Sequence, residues 1–243
     1  MASETVGRIL KIRRYPVKSL GGESMTVASL LPGDGIAGDR AFVLHAPETG
    51  AIVQASRPKD WPGAMDTAAA YIVGDSGAIR YTLPDGTEVS SIDPAAASLL
   101  AKALGRPVAL IESADVGRIK DGDVHLLTTA SLAAMAALHP EGRFEARRFR
   151  PNLVIESPAG AEGFAENGWV GRRLRIGEAV MRVSDRTVRC VLPTLAQGDL
   201  PKDPDILRTV TKNNGGDAGV YAMIETPGRI RVGADLVLET ASD

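Results

Sequence analysis

The sequence predicts a mixed α/β, β-rich fold: two intimately packed parts built from short strands, with a few short helices. Three observations carry this. Short apolar runs recur along the 243 residues at the spacing of a barrel or sandwich. Gly, Pro and Asp separate them in turn-forming groups such as Pro32-Gly33-Asp34-Gly35, Asp75-Ser76-Gly77 and Pro84-Asp85-Gly86. Helical periodicity with end signals appears in only three places.

In chain order the strand-like runs are residues 7–14, 25–31, 41–44, 51–54, 70–73, 78–83, 88–92, 108–112, 124–127, 152–156, 173–183, 220–225 and 229–239. The first helix is capped by Asp93 and has Pro94 at its first position. Leu99, Leu100, Ala103 and Leu104 form its apolar face, and Gly105 ends it. The second covers 129–139, with Leu132, Met135, Ala136 and Leu138 at helical spacing and Pro140 as the stop. The third opens at Asp203-Pro204, turns Ile206, Leu207 and Val210 inward, and breaks at Asn213-Asn214-Gly215-Gly216. Arg173-Leu174-Arg175-Ile176-Gly177 echoes Arg229-Ile230-Arg231-Val232-Gly233, each an alternating strand ending at a glycine as a barrel hairpin would. The softest boundary lies at 90–93, so the expected division is an N-terminal β-barrel-like part, 1–92, and a second part, 93–243.

Composition narrows the function classes. A formal net charge of −2 and 4% aromatics provide neither an electrostatic footprint nor a stacking platform for nucleic acid. Residues 1–19 lack the apolar core of a signal peptide, and no run approaches the roughly 18 apolar residues of a membrane span. One cysteine allows no intrachain disulfide and no chain-encoded four-cysteine iron–sulfur cluster or zinc site. The expectation is a cytoplasmic protein with neither nucleic acid nor membrane as partner.

His45, His125 and His139 are far apart and lack metal-ligand spacing, so each reads as structural. There is no G-x-S-x-G elbow and no P-loop. Gly33, Gly35 and Gly38 fit G-x-G-x-x-G formally, but Asp39-Arg40 and a strand follow where a dinucleotide site needs a helix. Cys190 lies in Thr187-Val188-Arg189-Cys190-Val191-Leu192-Pro193-Thr194. Most free cysteines are small buried hydrophobes. Here Arg186 and Arg189 make a cationic surrounding, which favours a thiolate fit to act as nucleophile or soft metal ligand. Both readings stand on local composition alone.

Arg147-Arg148-Phe149-Arg150-Pro151-Asn152 reads by charge as a solvated basic turn, or as an anion clamp. Tyr15-Pro16-Val17-Lys18-Ser19 and Gly38-Asp39-Arg40 each place a cation beside a turn. A thiolate with several anion-binding groups suits a metal carried on a phosphorylated organic ligand.

These clusters, in this order, resemble a known family. Tyr15-Pro16-Val17-Lys18-Ser19 and Gly35-Ile36-Ala37-Gly38-Asp39-Arg40 look like the opening motifs of the β-barrel N-terminal domain of MOSC proteins. His125-Leu126-Leu127-Thr128-Thr129-Ala130-Ser131-Leu132, Arg148-Phe149-Arg150-Pro151-Asn152, Arg189-Cys190 and the closing 226–233 segment look like the MOSC domain proper. The resemblance, to the family that includes the mitochondrial amidoxime-reducing component, implies a MOSC-type β-barrel packed with an N-terminal β-barrel-like part. It implies a molybdenum cofactor (molybdenum–molybdopterin) held between the two, with Cys190 as catalytic residue and metal ligand. It makes Lys18, Ser19, Arg40, Arg57, Thr128, Arg150 and Asn152 the expected cofactor contacts. Around Arg57 the stretch departs from the family's usual Thr-x-Arg.

The activity so implied is an oxidoreductase acting on small N-hydroxylated substrates, with electrons from a separate donor protein. Asp199 or Asp203 would line the substrate mouth. The alternatives are sulfur transfer, with a persulfide on Cys190 loaded by a sulfur donor, and a non-catalytic cofactor carrier.

Overall fold

The computed structural model describes residues 3–74, 77–116 and 122–239; the Asp75-Ser76 portion of one expected turn lies outside them. The elements, in chain order, are β1 (Ser3–Arg14), β2 (Glu23–Met25), β3 (Val27–Leu31), β4 (Gly35–Ile36), β5 (Phe42–His45), β6 (Ala68–Tyr71), β7 (Ile79–Thr82), β8 (Glu88–Ser90), α1 (Ala96–Leu104) and β9 (Ala109–Glu112). They continue with β10 (Val124–Thr128), α2 (Thr129–Leu138), α3 (Ala146–Phe149), β11 (Leu153–Glu156), β12 (Arg173–Ile176), β13 (Ala179–Val188), α4 (Asp205–Asn214), β14 (Asp217–Thr226), β15 (Gly228–Arg231) and β16 (Asp235–Glu239).

Among the described residues, seven strands close into a barrel: β1 lies between β11 and β16, and the ring runs on through β10, β14, β13 and β12. Neighbours are antiparallel except β10 and β11. That one parallel pair requires a crossover, and α2 and α3 fill it. Alternation sorts the side chains: on β12, Leu174 and Ile176 are buried while Arg173 and Arg175 face out. Ile9, Ile12, Leu126, Leu153, Ile155, Met181, Val220 and Leu236 belong to the barrel core. On the outside of the barrel, α2, α3 and α4 bury Met135, Phe149, Ile206 and Val210 against Leu127 and Ala218.

A second core gathers Val17, Leu20, Leu44, Trp61, Ile79, Tyr81, Leu100 and Leu104. The two cores interleave along the chain. The N-terminal strand β1 is a barrel stave, whereas α1 packs into the second core and β9 pairs with β5. A cut at residue 92 therefore passes through shared packing.

The strand-like runs are found with local changes. Residues 25–31 break at Thr26, because β2 pairs with β1 while β3 joins β15 and β4. Residues 51–54 make a single bridge, His45 to Ile52, instead of a strand. The two echoing runs each turn at their glycine, Gly177 at φ 58° and Gly233 at φ 83°. The formal G-x-G-x-x-G is explained by close packing: a Cβ on Gly35 would sit 1.9 Å from the Asp123 carbonyl oxygen, and one on Gly38 would strike the Tyr71 ring. No helix among the described residues is long and apolar enough to cross a membrane.

Candidate functional site

Where β1 ends, three guanidinium groups gather on one phenol. Arg13, Arg40 and Arg150 lie 5.9, 5.0 and 4.3 Å from the Tyr15 ring centroid. The ring's negative face favours cations there. Tyr15 itself is buried; its hydroxyl donates to the Pro151 carbonyl at 3.3 Å and its backbone N–H donates to Asp39 Oδ1 at 2.8 Å. Asp39, also buried, ion-pairs with Arg40. Burial works most strongly against the Arg40 charge, but the Asp39 carboxylate and the neighbouring Tyr15 and Tyr221 together outweigh it, and the guanidinium pKa is raised. For Arg150 burial wins, aided by the Arg40 cation, and its pKa is pulled down to about 10; the group still carries its charge at neutral pH.

The backbone marks the same residues. Among the described residues, the non-glycine positions with positive φ are Ser19 at 73°, Arg40 at 53° and Arg150 at 54°. Left-handed backbone costs an L-residue on the order of 1–3 kcal/mol and persists only where the surroundings impose it. Hydrogen bonds impose it here. The Arg40 N–H donates to the Tyr15 carbonyl at 2.6 Å, the Ser19 hydroxyl to the Val53 carbonyl at 2.8 Å, and Arg150 caps α3 through Ala146. Arg150 Nη2 also donates to the Leu20 carbonyl at 2.6 Å, tying the α3 turn to the segment that carries Lys18 and Ser19.

The arginine run divides its labour. Arg147 is exposed and pairs with Glu145 and Asp199. Arg148 is wholly buried, and donates to the carbonyls of Arg143, Pro193, Leu195 and Pro201 at 2.8–3.2 Å. It therefore fixes the segment that follows Cys190. Cys190 is exposed. Its neighbour Arg189 donates to the Phe149 carbonyl at 2.8 Å, so the cysteine segment is anchored next to Arg150. Arg189 Nε is buried without a partner among the described residues.

Ser19, Arg40, Arg150 and the Lys18 turn are thus brought together; other expected contacts are placed differently. Asn152 is 1% exposed, and its amide is engaged by protein: Oδ1 accepts from the His125 N–H at 3.2 Å and from Arg40 at 3.4 Å, while Nδ2 donates to the Arg13 carbonyl at 3.2 Å. It positions Arg40 instead of presenting an open amide edge. Thr128 is fully buried as the N-cap of α2, accepting from the Ser131 N–H at 3.1 Å and donating to Glu166 at 2.6 Å. Its hydroxyl is thus engaged at the helix cap and on Glu166. Arg57 is exposed, in a turn closed by its N–H on the Gln54 carbonyl at 2.9 Å. Asp199 is exposed between Arg143 and Arg147, whose hydrogen bonds hold its carboxyl down to about 2. Asp203 pairs with His139 at 3.3 Å.

Beneath the cluster, His125 is buried, with Nε2 3.2 Å from the Ala218 carbonyl. Burial, then the Arg189 cation, holds its pKa well below the ordinary 6.5. The folded imidazole stays neutral while the unfolded chain's imidazole takes up a proton below about pH 6.5. Stability is therefore full above that pH and is lost as pH falls towards the folded value. This one group would contribute a slope of up to about 1.4 kcal/mol per pH unit. His125→Gln should flatten the acid limb of a urea-midpoint profile between pH 6.5 and 5; an unchanged slope would assign that limb to other groups.

A cavity of about 500 Å³ opens beside the cluster, between the barrel and the second core. Arg13, Tyr15 and Arg150 line it together with Gly21, Gly22, Met65 and Asp66, and Gln197 and Gly198 reach it from the segment after Cys190. Arg13, Asp66 and Gln197 escape a motif-based reading. Only Arg13, adjoining Arg14 at the end of an alternating strand, carries a sequence signal that singles it out.

Comparison with known proteins agrees with this architecture. A family model described as the MOSC domain matches residues 106–237. The crystal structure of the YuaD protein from Bacillus subtilis matches with a TM-score of 0.56 at 12% identity, covering 99% of each chain, a likeness of fold. Crystal structures of YiiM match over part of their length. That from Escherichia coli covers 51% of this chain and 57% of its own, at 24% identity and TM-score 0.39. That from Geobacillus stearothermophilus covers 49% and 55%, at 21% identity and TM-score 0.38. No curated protein sequence gives a significant match.

Proposed function

The chain belongs to the MOSC domain family, and on that premise we propose that it holds a molybdenum–pterin cofactor in the cleft beside Tyr15. We propose further that it reduces N-hydroxylated substrates with electrons from a separate donor protein. One observation carries the reading: left-handed non-glycine backbone occurs among the described residues only at Ser19, Arg40 and Arg150, and the two arginines stack on Tyr15, which lines the cleft. Strain concentrated on that few residues is retained for function more readily than for stability.

The residues present fit such a group. Arg13 and Arg150 offer charge-assisted donors to a phosphate, and the buried Arg189 Nε has no acceptor among the described residues. The exposed Cys190 sulfur, next in the chain to Arg189, is a soft ligand. When bound, the cofactor supplies a metal centre able to change oxidation state and accept an oxygen atom. The chain does the remainder. Asp39 and Asn152 orient Arg40, the Tyr15 face assembles the cations, and Arg148 holds the segment after Cys190 so that the thiolate keeps a fixed place relative to them. A lone thiol fits the reducing cytoplasm, where we place the protein.

The test is molybdenum and released pterin per chain, in protein made in a cofactor-producing host, beside Cys190→Ser. The expected result is near-stoichiometric metal and pterin in the parent and loss of most metal in the variant. A reduced, metal-replete parent should then turn over at least one compound in a panel of amidoximes, hydroxylamines and N-hydroxy bases. Absence of metal and pterin from the parent, with reconstitution also failing, would end this reading. One observation favours the second reading, sulfur transfer: Cys190 is flanked by Val188 and Val191, 77% and 44% exposed, which leaves the thiol open to a donor protein. A gain of one sulfur atom on Cys190 after incubation with a cysteine desulfurase would support it.

A further inference from the structure

Gln197 is 6% exposed, it lines the cationic cavity, and its buried amide nitrogen has no hydrogen-bond partner among the described residues. A buried amide donor without an acceptor costs on the order of 1–3 kcal/mol, so an acceptor belonging to a ligand is the natural complement. The backbone that carries it is held in place. Gln197 and Leu200 exchange both backbone hydrogen bonds at 3.0 Å around a tight turn, with Gly198 at φ 56°. Arg148 clamps the carbonyls of Pro193, Leu195 and Pro201 on either side of that turn. Asp66 stands next to it: Oδ1 accepts the Gly198 N–H at 2.7 Å, and its second oxygen has no partner among the described residues.

The cavity thus presents an amide donor and a carboxylate acceptor on adjoining residues, and Arg13 and Arg150 line the same space. A carboxylate receives two adjacent N–H donors well, and a neighbouring amide N–H suits a carbonyl oxygen. We propose that Asp66 and Gln197 recognise the amino-lactam edge of a heterocycle whose anionic tail is held by Arg13 and Arg150. Asp66 accepts from the exocyclic amine and the ring N–H, and the Gln197 amide nitrogen donates to the adjacent carbonyl oxygen. This deepens the cofactor reading, since a 2-amino-4-oxo pterin carries that edge; guanine carries the same edge, whereas adenine does not.

The full chain, purified from a host unable to make the cofactor, is titrated with fluorescent pterin-6-carboxylate, GMP, AMP and inorganic phosphate. Pterin-6-carboxylate is expected to bind, and AMP to bind no better than phosphate. Gln197→Leu and Asp66→Asn should each weaken pterin binding on the order of tenfold or more, because a site built to hydrogen-bond is left mismatched. Phosphate affinity should stay unchanged in both, whereas Arg150→Ala should lower it. Gln197→Glu, which keeps the size and replaces the donor with an acceptor, should match the Leu variant in pterin binding, and the phosphate affinity retained by the Leu and Asn variants guards against a folding defect. Variants that bind pterin like the parent overturn the inference and leave the cofactor reading standing. A parent that binds neither pterin nor GMP overturns both. GMP binding without pterin binding keeps the amino-lactam site and removes the cofactor reading, and AMP binding equal to that of pterin overturns the inference.

Discussion

Arg148→Met is expected to lower stability by about 3–5 kcal/mol, a cost typical of breaking a buried charged network. The guanidinium is completely buried and is satisfied by four backbone carbonyls drawn from the 143 turn and the 193–201 segment. A methionine fills much of the volume but donates nothing, so acceptors packed away from water lose their partners. The damage should concentrate after Cys190. Two measurements follow: the urea midpoint should fall, and trypsin should cut at Lys202 faster in the variant than in the parent. Arg148→Lys should recover only part of the loss, since an ammonium cannot span the fork that reaches Pro193, Leu195 and Pro201 together. A Met variant within about 1 kcal/mol of the parent would mean that the segment holds its shape without this residue.

Replacing Arg150 should separate folding from binding. At φ 54° an alanine inherits the left-handed strain and loses the side chain, whereas glycine adopts that conformation freely. Arg150→Gly is therefore expected to be more stable than Arg150→Ala by about 1 kcal/mol, the reverse of the usual preference. Both variants should lose anion affinity by roughly 10–100-fold, the worth of a charge-assisted hydrogen bond in a partly buried site. Thermal unfolding gives the first comparison; pterin retained per chain gives the second. If alanine equals glycine in stability, the backbone at this position is not what holds the arginine in place.

Residue type was legible along the sequence; conformation and partner often were not. Strand alternation marked β12 and the second half of the barrel, and Gly105 and Gly215 end their helices in the left-handed conformation that their residue type suggests. Thr128 illustrates the opposite case. Its position at the head of a helix is visible, but Glu166, which takes its hydroxyl, lies 38 residues away. Asn152 is similar, since its partners come from β1, β10 and the Arg40 turn. The adjacent arginines 147, 148 and 150 look alike as letters, yet a single helical turn followed by a left-handed residue sends them to solvent, to the interior and to the cleft. Gln197 has no motif around it; its chemistry arises from burial on a turn that Arg148 pins.

The barrel's seam has a kinetic side. β1 is zipped on one edge to β16, with Ser3 opposite Glu239, and on the other to β11. A growing chain therefore cannot close the ring until residue 239 has left the ribosome, and through most of synthesis β1 must wait with an unpaired edge. Pairings of such sequence separation make folding slow, and the open seam offers neighbouring chains a template. Charges along that waiting strand, such as Glu4, Arg8 and Lys11 on its exposed positions, would keep it soluble until its last partner arrives.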